Sequence, residues 1–205
     1  MYLDPNEDID IKEGGYLPHW HQNAKIQFVT FRLADSLPSS VVRDLKNTID
    51  TFNKNHPKPW SVEVKQQYWN LVGPLKGRLL DNGYGSCILK HQEAQDILKE
   101  IIFNRDGIDY NVIAYVIMPN HVHMLIQPYE NITLSKILHS IKGLSALRIN
   151  SALKRAGKLW MSESFDRIVR SSDSLKHYIH YIQRNPERLA VGQYDLYLRP
   201  DFFGA

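Results

Sequence analysis

The chain has 205 residues, 43% of them apolar and 23% charged, with a net charge of +3 at neutral pH, which is the make-up of a globular protein with one sizeable core. No run of eighteen apolar residues occurs and the opening MYLDPNEDIDIKEGG is acidic and polar, so the expectation is a protein with no membrane partner and neither a signal nor a transit peptide. The single Cys87 excludes an internal disulfide and a cysteine-cluster metal site, which fits a cytoplasmic location.

The first 24 residues, with Gly14-Gly15 and Pro18, have no clear periodicity and read as an irregular lead-in. Lys25 to Leu33 alternates as a strand, with Ile26, Phe28, Thr30 and Arg32 on one side and Gln27, Val29, Phe31 and Leu33 on the other. Ser36 to Asn55 opens on Ser-Leu-Pro-Ser-Ser and then spaces Val41, Val42, Leu45, Ile49 and Phe52 as a capped amphipathic helix, which His56-Pro57-Lys58-Pro59 stops. A second helical stretch over Val64 to Leu80 is broken at Gly73-Pro74. Asn82-Gly83-Tyr84-Gly85 reads as a turn and Cys87 to Leu89 as a short extended piece.

His91 to Phe103 predicts a helix closed by Asn104-Arg105-Asp106-Gly107. Tyr110 to Pro128, YNVIAYVIMPNHVHMLIQP, reads as two strands joined by Met118-Pro119-Asn120. Thr133 to Ala156 predicts a helix with the stripe Leu134, Ile137, Leu138, Ile141, Leu144, Leu147 and Ile149, ended by Gly157. Ser164 to Val169 alternates as a strand, Ser172-Asp173 caps a last helix running to Pro186, and Leu189 to Ala205 is an aromatic-rich tail. With residues 36–85 set aside as a helical insertion in a single domain over 1–205, the order is βαββαβ plus a terminal helix. That order predicts an α+β, ferredoxin-like antiparallel sheet with helices on one face, followed by a C-terminal helix.

His121 and His123 lie two apart on the second hairpin strand, so they share one sheet face while Val122, Met124 and Ile126 share the other. Two imidazoles side by side are part of a metal-binding set that needs a third ligand from elsewhere. On the last helix Leu175, Ile179 and Ile182 form the buried stripe. Tyr181 and Asn185, four apart, share a different face, and an amide oxygen suits magnesium or manganese.

Taken in order, PNHVHMLI, WMSESFDRIVR and YIQRNPERL resemble the REP-associated tyrosine transposases of the single-tyrosine HUH group, over about Lys25 to Leu189. The resemblance implies a metal-dependent nuclease and strand transferase that acts on single-stranded DNA at a hairpin or palindromic repeat. Tyr181 matches the nucleophile, His121 and His123 the metal ligands, and Asn185 the polar third ligand, with magnesium or manganese as cofactor. It also implies a 5'-phosphotyrosyl intermediate, in a chain acting as monomer or homodimer. A phenol with an ordinary pKa of about 10 needs help to attack, so His177 and His180 are candidate bases and Tyr178 is the rival nucleophile.

From Asn131 to Arg170 the basic residues Lys136, Lys142, Arg148, Lys154, Arg155, Lys158, Arg167 and Arg170 face two acids, Glu163 and Asp166. Lys142, Arg148, Lys154, Arg167 and Arg170 are the candidate phosphate contacts, and Trp160, Tyr16 and Trp20 the candidate base-stacking residues. Arg167 stands where the family often carries a histidine. The alternative readings are a non-cleaving protein that binds the same hairpin DNA and a zinc hydrolase built on His121 and His123.

Overall fold

The chain runs through a hairpin, β1 (Asp10–Gly14) and β2 (Leu17–His21), then β3 (Gln27–Leu33), α1 (Ser39–Asn55), α2 (Gln92–Phe103), β4 (Tyr110–Met118), β5 (His121–Pro128), α3 (Leu134–Ala152), β6 (Trp160–Ile168), α4 (Ser172–Arg184) and β7 (Asp195–Leu198). A computed structural model describes residues 1–4, 10–14, 17–22, 24–37, 39–61, 63–64, 66–68, 70–71 and 84–202. The expected break at Gly73-Pro74 and the first half of the turn, Asn82-Gly83, lie outside the described residues. The described residues fall into two compact units, within 1–34 with 87–205 and within 35–86.

In the larger unit five strands pair in the order β6-β3-β5-β4-β7, every neighbouring pair antiparallel. The four strands β6-β3-β5-β4 reproduce the strand order of a ferredoxin-like sheet, with β3 and β5 at the centre of the four. Alternation along β5 divides the core in two. Val122, Met124 and Ile126 enter the larger cluster with Leu98 and Ile102 of α2 and Ile137, Leu138 and Ile141 of α3. On the other face, Leu125 joins Ile26, Phe28 and Val116 with Leu175 and Ile182 of α4. A bulge in β4, where Val112 pairs with Ile126 but Ala114 with Leu125, lets Ile113 and Ala114 both enter the α4-side cluster.

Several elements differ from the sequence reading. Residues 10–14 and 17–21 form an antiparallel strand pair instead of an irregular lead-in, and the tail contains β7, which pairs with β4. Residues 88–90 form a 3-10 turn where an extended piece was expected. β6 begins four residues earlier than predicted, at Trp160, and α3 ends at Ala152. Leu144 and Leu147, assigned to the buried stripe of α3, are 46% and 71% exposed; Ser145 and Ile149 face inward. Trp160 is core, 4% exposed, edge-on to Phe31 and donating its indole N–H to Ser145 Oγ, so it presents no ring to a base.

Within 35–86, Ile49, Phe52 and Tyr68 pack with Trp60 and Val64 into a small aromatic core. Its two ends meet: the Ser86 N–H donates to Asp35 Oδ2 at 2.9 Å. Gly85 adopts φ +93 and a Cβ there would come within 2.5 Å of the Asp35 carbonyl oxygen, so this pinch requires glycine.

Candidate functional site

The α4 face of the sheet carries the predicted residues. Register sets Thr30 opposite His123 and Arg32 opposite His121, so the even-numbered side chains of β3 share a face with the two histidines. The His121 and His123 Nε2 atoms lie 3.0 Å apart. Asn120 Oδ1 accepts a hydrogen bond from His121 Nδ1 at 2.8 Å, and Thr30 Oγ1 stands 2.7 Å from His123 Nδ1.

An amide oxygen only accepts, so His121 carries its proton on Nδ1 and turns the Nε2 lone pair toward His123. The Thr30 hydroxyl can serve either tautomer of His123. Without a cation, His123 donates Nε2–H to the His121 lone pair; with one, its proton belongs on Nδ1, donating to Thr30, and both Nε2 lone pairs are available. Burial, the neighbouring His123 and the Arg32 charge hold His121 well below the ordinary imidazole range. Burial, then Arg32, pushes His123 down to about 3. Both rings are therefore neutral, as metal ligation demands.

α4 presents its residues over this pair. The Ser171 hydroxyl caps the helix by accepting from the Ser174 N–H at 3.2 Å, and Leu175 and Ile182 anchor it to the sheet. Tyr181 Oη then lies 3.4 Å from His123 Nε2, its ring edge-on to His123 at 5.0 Å between centroids. One turn later, where the Asn185 N–H donates to the Tyr181 carbonyl, the Asn185 side chain sits beside the His121 ring and in part opposes the lowering of its pKa. Tyr181, His121, His123 and Asn185 thus converge within one chain.

The two nitrogens fit a cation. Ligand bonds of about 2.1 Å at right angles separate two donor atoms by about 3 Å, the spacing found here. Among the described residues no three of His, Cys, Asp and Glu are gathered around one point, so a third protein ligand would be the Asn185 amide.

The rival Tyr178 stacks on Phe28 at 4.4 Å, and Phe28 in turn stacks on His123, so Tyr178 stands one ring further from the histidines than Tyr181 does. Tyr110 and Tyr115 are unsuited to attack: burial raises the first phenol to about 12, and burial with the Asp195 carboxylate raises the second further. His177 and His180 are exposed on α4.

The candidate phosphate contacts are dispersed. Arg167 pairs in register with Phe28 on the α4 face and lies over the Phe165 ring, 5.1 Å from its centroid. Lys142 and Arg148 belong to α3, across the sheet. Lys142 Nζ donates to the Ser162 carbonyl at 2.8 Å, and Arg148 makes a two-pronged bond to Glu100 with both contacts at 2.7 Å. Lys154 follows α3 with φ 49, and Arg170 is exposed beyond β6. Tyr16 lies outside the described residues, as does the Trp20 side chain. Sequence reasoning missed Thr30, Asn120 and Arg32; the place of Asn120, abutting His121 in a tight turn, was the one available signal.

A family model described as IS200-like transposase matches residues 83–185. No curated protein matches the chain. Among solved structures, a REP-associated tyrosine transposase bound to a REP hairpin is 15% identical, covering 83% of this chain and 71% of its own, with a TM-score of 0.45. A Deinococcus radiodurans R1 protein described as a transposase is 17% identical, covering 85% of this chain and 97% of its own, with a TM-score of 0.36.

Proposed function

Because this chain belongs to the IS200-like transposase family, we propose that it cuts and rejoins single-stranded DNA at a hairpin, with Tyr181 as nucleophile. The observation that carries this reading is the phenol oxygen of Tyr181, 3.4 Å from His123 Nε2, above a pair of neutral imidazoles. Tyr181 Oη attacks phosphorus in line while the bond from phosphorus to the 3'-oxygen breaks. This leaves a 5'-phosphotyrosyl ester and a free 3'-hydroxyl. Attack by a 3'-hydroxyl on that ester rejoins DNA without ATP, since one phosphodiester is exchanged for another.

His121 and His123 through Nε2, with the Asn185 amide oxygen, would hold magnesium or manganese. When bound, the cation supplies positive charge at the scissile phosphate. Asn120 and Thr30 fix the imidazole tautomers, Phe28 supports the His123 ring, and α4 holds the phenol at the pair. Arg167 contacts a phosphate on the same face. Lys142, Arg148, Lys154 and Arg170 are the remaining candidate contacts to a DNA hairpin.

The test is incubation with hairpin oligonucleotides drawn from the DNA flanking the gene, with manganese or magnesium, followed by denaturing electrophoresis. A covalent adduct is expected for the parent protein and for Tyr178→Phe, and none for Tyr181→Phe. An adduct that persists in Tyr181→Phe overturns the nucleophile.

A further inference from the structure

Cutting a single strand at one phosphate requires its unpaired bases to be held still beside the tyrosine. Trp160, the one expected stacking residue whose side chain is described, is core and cannot do this. Phe165 is placed to. Register sets it opposite Thr30, and Thr30 opposite His123, so the three occupy one row across β6, β3 and β5 on the α4 face. Neighbouring strands lie about 4.8 Å apart, which puts Phe165 about 10 Å from His123 in the plane of the sheet. Two residues on, Arg167 shares that face and stands in register with Phe28, the ring that stacks on His123 and meets Tyr181 edge-on.

α4 packs on β4 and β5, while β6 is the outer strand, with β2 alongside it. In that setting Phe165 packs against the α4-side core yet stays half-buried, and Arg167 is exposed. Arg167 Cζ lies 5.1 Å from the centre of the Phe165 ring, so ring and cation form one surface anchored from below. Every base has a flat face that stacks on an aromatic ring or on a guanidinium plane, so such a surface takes any of the four. A guanidinium donates in its own plane, and a base stacked on it does not conflict with the phosphate contact assigned to Arg167 above.

We infer that Phe165 and Arg167 form a stacking platform for one unpaired base of the strand being cut, and so fix which phosphate meets Tyr181. This rests on the reading of Tyr181, His121 and His123 given above. No bond is made or broken at the platform, and Phe165 is a positioning residue. Its loss weakens binding of the strand and blurs the site of cutting without removing the nucleophile.

The experiment uses the full chain carrying Tyr181→Phe, so that no covalent product forms, and reads binding by fluorescence anisotropy. The probes are flanking hairpin oligonucleotides, intact or with one abasic nucleotide moved stepwise along the unpaired flank. One abasic position should weaken binding about ten-fold. Adding Phe165→Leu, which keeps the apolar bulk, should weaken binding of the intact oligonucleotide and abolish the penalty at that position, and Phe165→Trp should restore both. A ring that served only to pack the core would alter stability and leave the abasic penalty as it was. Should the leucine variant not fold, Arg167→Gln, at an exposed position, should shrink the same penalty. A flat abasic series, or a penalty unchanged in these variants, overturns the platform. If the parent protein still forms its adduct in that case, the tyrosine reading stands. If the parent forms no adduct with any flanking hairpin, that reading falls and the platform falls with it.

Discussion

Two neighbouring side chains, Asn120 and Thr30, decide how the histidines present their nitrogens. Asn120 fixes His121, and the Thr30 hydroxyl can exchange donor for acceptor as the His123 proton moves. Thr30→Val keeps the shape but leaves His123 Nδ1 without its partner, so manganese affinity should fall about 10- to 100-fold, while Thr30→Ser retains it. Calorimetric titration measures both, and equal losses in valine and serine variants would make the effect one of packing. His121, His123, Tyr181 and Asn185 were legible because each belongs to a local period, two along a strand or four along a helix. Thr30 and Arg32 were not, because their roles come from a register between residues some ninety positions apart in the chain, His123 facing Thr30 and His121 facing Arg32.

At the level of elements, α4 is the means by which Tyr181 reaches the sheet. Ile182 is fully buried beside the phenol and Leu175 anchors the preceding turns. Ile182→Ala should cost about 2 to 5 kcal/mol of stability, read from denaturant midpoints. Adduct formation under conditions where the protein stays folded should slow by about 100-fold, because a small misplacement of the attacking oxygen is expensive. Retained adduct rates would mean that other contacts position the phenol. The β4–β5 hairpin and the apolar face of α4 were readable from their own alternation. β1 and β2 were not: DIKEG and LPHWH are short and hold a glycine and a proline at the turn end, obscuring any period. β7 is four residues long and gains its place from pairing with β4 and from the Tyr115 hydroxyl donating to Asp195. In α3, Leu144 and Leu147 extended the apolar stripe in the sequence but lie off the face that Ile141, Ser145 and Ile149 turn inward.

The molecule as a whole joins two units with separate cores, and the pinch between Asp35 and Ser86 means that residues 35–86 leave and return at one place. We propose that this unit is an insertion. Its replacement by a short Gly/Ser linker should leave a cooperatively melting protein that still forms the Tyr181 adduct, monitored by circular dichroism and the same gel assay. A protein that no longer melts cooperatively would show that the sheet depends on the insertion. The five-stranded sheet has a different consequence for the nucleic acid. Tyr181 and Arg167 lie on one side, whereas Lys142 and Arg148 ride on α3 on the other. With layers about 10 Å apart, the two groups are separated by roughly 20 Å through the protein. On the proposed function, one bound DNA touching both would have to pass around an edge of the sheet, so its footprint would follow a perimeter and not a straight groove. A short fragment spanning only the cut could occupy the tyrosine without meeting the far lysine and arginine at all.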